Sequence, residues 1–329
     1  PGEPGIAYFM GSGFVSSKLH EPGLLPHLKE MAQKRTRTIV DRVNAVLGPI
    51  ALDYERDVLS LTPNGNPTER HVCIAYDKKS QERFGDESVR AAFWSEKLGA
   101  PAESLIEMFK DAPVFQGLIR SKIMKAGGPG YIKPEGSDFP QLTNVARFFT
   151  NTGAVPTYAW LDGTTPGEQN IGELLDLMIA NGVAAVNIIP DRNWNLSDPE
   201  ARAKKTRLLH EFVALALDRD LPILVGTEIN AYGQRFVDDF GADAMRPLVA
   251  PAYDAAMIFH AHTILESTQG MGYASEWAKA RFGTAGEKNE FYKTFGEHAS
   301  AAPKAALHNI GPEMSPSHVM ASLQMGARK

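Results

Sequence analysis

From residue 154 onward the chain repeats one pattern: a short apolar run, then a longer amphipathic stretch. Residues 155–161 (VPTYAWL), 183–189 (VAAVNII), 222–229 (PILVGTEI) and 255–260 (AAMIFH) read as strands. Residues 171–180, 199–219 and 242–250 read as the helices between them. Strands that are apolar throughout are covered on both faces, and strand–helix alternation joins parallel neighbours by right-handed crossovers. No Gly-rich nucleotide fingerprint follows any run, and polar residues gather where each run ends. An open doubly wound sheet and a closed barrel both fit. Several strand ends feeding one site favour the barrel. The expected fold is α/β: a TIM-like parallel β/α barrel, regular or distorted, with a helix-rich N-terminal half.

Residues 1–150 carry a different pattern. Helical spacing predicts helices over 24–47, 88–98, 102–109 and 114–125, interrupted by one strand-like run at 71–76 (HVCIAY). Residues 126–137 (AGGPGYIKPEGS) form a Gly/Pro-rich loop, either a mobile lid or a linker. The expected organisation is a helix-rich region over 1–150, part of the barrel or inserted in it, followed by barrel strands and C-terminal helices over 151–329.

Alternate positions on a strand face one way, so each strand-end series can be followed by parity. The series end on Asp162, on Asp191, on Glu228 and Asn230, and on His260 and His262. Glu228 follows a wholly apolar run, where an unpaired carboxylate is expensive to bury. Two imidazoles two apart on a strand converge and can share an ion. The plainer alternative is two separate core or loop histidines, each bonded locally. Likewise Asp162 starts a DG turn and Asp191 follows a proline, so each can serve a turn instead of a site.

The metal reading names Glu228, His260 and His262 as ligands of a divalent ion (zinc, manganese or iron). Asp191 or Asp162 is the general base, and Arg192, Arg70 and Asn230 bind substrate. Arg56, in the charged stretch LDYERDV, is a further cation for an anionic substrate.

The net charge of −5 and pI near 6.0 argue against a nucleic-acid or anionic-membrane surface. Cys73 is the only cysteine, which excludes an intrachain disulfide and a CxxC site. No run reaches the roughly 20 apolar residues of a membrane span. A cytoplasmic protein acting on a small molecule is expected.

Residues 154–265 resemble the metal-dependent barrel hydrolases of the polymerase-and-histidinol-phosphatase (PHP) type, with amidohydrolase and uronate-isomerase barrels next. Gly226-Thr227-Glu228 matches the GxE that PHP proteins place at a strand end, and His260 and His262 match their later histidines. The resemblance implies a distorted barrel, a cluster of divalent ions and hydrolysis by a metal-bound water. It also implies an HxH on a first strand, which this sequence lacks. Either that strand lies upstream of Pro1 or that half of the site is missing. The expected function is a metal-dependent hydrolase of a small polar, anionic substrate, a phosphoester or an amide or ester. The alternatives are a sugar or sugar-acid isomerase, aldolase or lyase on the same scaffold, and a non-catalytic binding protein on a decayed barrel.

Overall fold

The computed structural model describes residues 5–17, 23–227, 229, 234–299 and 307–326. The chain divides into two compact units: residues 22–139, and residues 140–329 joined by 1–21. Among the described residues no helix is long and apolar enough to cross a membrane.

The unit 22–139 is helical. Its helices are α1 (Leu24–Asn44), α2 (Glu69–Arg83), α3 (Glu87–Leu98), α4 (Ala102–Met108) and α5 (Ala112–Ile119). Their apolar faces meet in a core that includes Val40, Val43, Val72, Cys73, Tyr76, Trp94 and Phe115. The run 71–76, expected as a strand, lies inside α2. Thr68 caps that helix and its backbone N–H donates to the His71 ring at 3.1 Å. Val72, Cys73, Tyr76 and Ser80 then fall on one buried face, the spacing of a helix. A histidine and five apolar residues alone did not contain that information.

Within the same core Arg90 pairs with Asp77, two nearly dry charges. Gln116 donates to the second Asp77 oxygen at 2.8 Å and Arg90 Nε donates to Ser80 Oγ at 3.0 Å. The Arg90 guanidinium also lies 3.8 Å from the centre of the Phe109 ring. The Gly/Pro loop is stapled to α1: Arg42 donates to the Tyr131 carbonyl at 2.7 Å and Arg35 to that of Ile132 at 3.0 Å.

The other unit is built on four strands in the order β1 (Tyr8–Ser12), β2 (Val155–Ala159), β3 (Ala185–Ile188) and β4 (Ile223–Val225). β1 runs antiparallel to β2, with Tyr8 opposite Ala159. β2, β3 and β4 are parallel, with Ala159 opposite Asn187 and Ile188 opposite Val225. The helices are α6 (Leu142–Asn151), α7 (Ile171–Ala180), α8 (Asp191–Trp194), α9 (Pro199–Leu217), α10 (Arg246–Gln269), α11 (Glu276–Arg281), α12 (Ala285–Ala299) and α13 (Pro316–Gly326). Val186 and Ile188 pack with Leu175 of α7 and Leu209 and Phe212 of α9. Ala185, of opposite parity, packs with Ile258 and Leu265 of α10 and Tyr292 and Phe295 of α12. Helices therefore cover both faces of the sheet, which explains strands without polar alternation.

This corrects the barrel. The described sheet is a small, open, mixed one with an antiparallel edge, whereas a TIM barrel closes eight parallel strands. The error has a definite source. Residues 255–260, expected as the fourth strand, lie in the middle of the 24-residue helix α10. Ala255, Ile258, Ala261, His262 and Leu265 form its buried stripe, a helical and not a strand repeat. Where α10 meets α12 the backbones touch. A Cβ on Gly296 would overlap the Met257 carbonyl oxygen and stand 2.8 Å from its carbon.

Candidate functional site

The C-terminal ends of β2 and β3 bring polar side chains together. The chain leaves β2 through Trp160, whose ring stacks on Phe212 at 4.5 Å, and turns at Gly163 (φ 71°). The buried Glu168 carboxylate holds this turn by accepting from the N–H groups of Leu161 (2.8 Å), Asp162 (3.3 Å) and Gly163 (3.2 Å). The Asp162 side chain is thereby fixed in place. Lys205 of α9 donates to its Oδ2 at 2.8 Å, and Thr164 Oγ1 to its Oδ1 at 2.5 Å. Arg192 Nε stands 3.6 Å from the same Oδ2. Burial alone would raise the Asp162 carboxyl, but the bonds from Lys205 and Thr164 outweigh it and hold the group at about 2.

β3 ends beside α8, whose first residue is Asp191. Its N–H donates to Asp238 Oδ1 at 3.1 Å, and its own Oδ1 accepts from Asn195 at 2.9 Å. Asn193 joins the two strand ends: its Nδ2 donates to the carbonyls of Leu161 and Ile189, both at 3.0 Å. Asp238 is 6% exposed. Burial first, and then the Asp191 charge, pushes its carboxyl above the usual range. Asp238 Oδ2 and Asn193 Oδ1 are buried without a hydrogen-bond partner among the described residues. At the end of β4, Gly226 leaves room for Asn187, since a Cβ there would stand 2.8 Å from the Asn187 Oδ1.

Of the residues named from the sequence, Asp162, Asp191 and Arg192 thus lie together at the ends of neighbouring strands. Glu228 and Asn230 lie outside the described residues. Arg70 is exposed on α2 of the helical unit, where Arg56 is paired with Asp57 at 2.8 Å. Glu168, Asn193, Lys205 and Asp238 were not anticipated. Glu168 serves a local turn, whereas Asn193, Lys205 and Asp238 meet partners 32, 43 and 47 residues away, which no local spacing marks.

The two histidines do not converge. Both are on α10, where positions two apart are turned by roughly 200° about the axis. His262 is 1% exposed and both ring nitrogens are committed. Nδ1 accepts from the Tyr273 N–H at 3.0 Å, so Nε2 carries the proton and donates to the Gly13 carbonyl at 3.0 Å. A ligand would have to free one of them. Among the described residues no group of three or more His, Cys, Asp or Glu is placed to hold an ion.

That geometry makes His262 sensitive to acid. Burial holds its pKa below the ordinary value, since a proton on Nδ1 would face the Tyr273 N–H. Its stabilising contribution is therefore complete above about pH 6.5, the unfolded value, and is lost as pH falls through the lower folded value. Glu266, one turn on, accepts from the Gly272 N–H at 2.8 Å, and burial raises its carboxyl. Its titration acts in the opposite sense. His262→Phe should melt lower than the wild type at pH 8 and show a flatter loss of Tm between pH 7 and 5. An unchanged acid slope would remove His262 from the acid response.

No family model matches the sequence, and no curated protein matches it. A solved structure from Bifidobacterium adolescentis, provisionally assigned as a metal-dependent phosphoesterase, is similar over 74% of this chain and 70% of its own. The identity is 18% and the TM-score 0.40. The likeness is distant and coarse, and the chemistry below is argued from this chain's own residues.

Proposed function

We propose that the chain is a metal-dependent hydrolase of a small anionic ester, working at the C-terminal ends of β2 and β3. One observation carries this: Asp162, Asp191 and Arg192 meet where two parallel strands end, with Arg192 Nε 3.6 Å from Asp162 Oδ2. Ligands of open α/β sheets bind outside the carboxyl ends of their strands. The two aspartates take different parts. A carboxyl held at about 2 by Lys205 stays ionised and is a poor base, so Asp162 anchors Arg192 and the turn. That leaves Asp191 as the base: its Oδ1 is steadied by Asn195, and no cationic side chain bonds to it among the described residues. Arg192, about a third exposed, grips the substrate anion. A divalent ion held there by carboxylate oxygens would supply Lewis acidity toward the scissile group and the attacking water. Asp191 then takes the proton of that water.

The test is hydrolysis of 4-nitrophenyl phosphate, bis(4-nitrophenyl) phosphate and 4-nitrophenyl acetate with Mg²⁺, Mn²⁺, Zn²⁺ or Fe²⁺, each with and without EDTA. Activity should need the metal. Asp191→Asn should lower kcat by about 10²–10⁴-fold, the usual worth of a general base. Arg192→Gln should act mainly on KM for the two phosphate esters. Hydrolysis indifferent to EDTA, or none with any metal, would reject this function.

A further inference from the structure

We infer that Asp238, with the amide oxygen of Asn193, forms an oxygen-donor site for a hard divalent cation, Mg²⁺ or Mn²⁺. Neither the strand-end parity nor the histidine pair points to Asp238. It follows from what each oxygen is doing. Asp238 Oδ1 is spent on the Asp191 N–H, at 3.1 Å. Its Oδ2 is buried and has no hydrogen-bond partner among the described residues. A second buried oxygen is in the same condition: Asn193 Oδ1, on the same short helix as Asp191, in a residue that is 0% exposed. Native proteins rarely leave such oxygens unmatched, and a buried carboxylate without a bonded partner is strongly unfavourable. Arg235 eases the charge but makes no bond to Oδ2. The donors are carboxylate and amide oxygens, which suit Mg²⁺ or Mn²⁺ and disfavour the softer ions that histidine or thiolate would select.

The cation site stands on these oxygens alone; only its use in catalysis rests on the hydrolase reading. The measurement is Mn²⁺ binding to the full chain, by electron paramagnetic resonance of free Mn²⁺ and by the Mn²⁺-induced rise in Tm. Wild type should bind and be stabilised. Asp238→Asn keeps an acceptor for the Asp191 N–H and removes the charge. It should fold, melt at or above the apo wild type, and lose at least tenfold in Mn²⁺ affinity together with the Mn²⁺-induced rise. Asp191→Asn should also weaken binding. Asp176→Asn, an exposed carboxylate paired with Arg219, should leave it unchanged. No Mn²⁺ or Mg²⁺ binding at millimolar concentration, or equal binding by Asp238→Asn, would overturn the site and leave Asp238 a protonated structural carboxyl. Binding that depends on Asp238 in a protein that hydrolyses nothing would keep the site and reject only the hydrolase.

Discussion

Arg90→Met is expected to cost about 3–5 kcal/mol, because it leaves Asp77 charged and dry. The pair is enclosed: Arg90 and Asp77 side chains are 6% and 3% exposed. After the change Asp77 keeps only neutral amide donors among the described residues, Gln116 to Oδ2 at 2.8 Å and Gln81 to Oδ1 at 3.2 Å. Methionine can follow the path of the arginine stem against Phe109 and Phe115, so the loss is electrostatic more than steric. The double variant Asp77→Leu/Arg90→Met should recover most of the loss, since a buried ion pair replaced by apolar groups of similar volume is often neutral. Urea denaturation followed by far-ultraviolet circular dichroism measures both. A double variant no better than Arg90→Met would show that the cost is packing and not an orphaned charge.

Gly296→Ala should destabilise the sheet unit by about 1–3 kcal/mol, the usual cost of overpacking a filled core. Intrinsic propensity argues the other way, since alanine is about 1 kcal/mol better than glycine within a helix. Packing decides the sign. The Cβ would meet the Met257 backbone, and backbone on a buried helix cannot rotate aside as a side-chain tip can. A Cβ on Gly286, in the first turn of the same helix, would make only ordinary contact, 3.4 Å from the Asp220 carboxylate oxygens. Gly286→Ala is the control, and it should be neutral or stabilising. A Gly296→Ala protein with a raised Tm would mean that α10 and α12 lie further apart.

The strands that were legible share a property. Val155–Ala159 and Ala185–Ile188 are buried on both faces, Ile223–Val225 is partly so, and turns bound all three, so an apolar run and its breakers were enough. Residues 255–260 are equally apolar but have no breaker after them, and the helix runs on to Gln269. That one misreading also aligned His260 with His262, because parity holds only on a strand. β1 escaped notice for another reason. Its partner is β2, almost the whole helical unit and more away in sequence, and its alternation, exposed Tyr8 and Met10 against half-buried Phe9 and Gly11, is too short to stand out.

The candidate site divides the same way. Asp162, Asp191 and Arg192 directly follow apolar runs, and a polar residue in that position is conspicuous. Lys205 reaches Asp162 from a helix 43 residues later, and Asp238 meets Asp191 across 47 residues. Contacts of that span are made by the crossover topology, and adjacent letters carry no trace of them.

Cys73 sits among Val72, Tyr76 and Trp94 in the helical core, and burial pushes its thiol up to about 12. At neutral pH almost none of it is thiolate, the form that alkylating reagents attack. Reagent can react only when that core comes apart. Because the chain has no other sulfhydryl, alkylation by iodoacetamide is a clock for the breathing of residues 22–139 alone, silent about the sheet. Run beside a whole-chain denaturation curve, it reports whether the two halves of this protein let go together or one before the other.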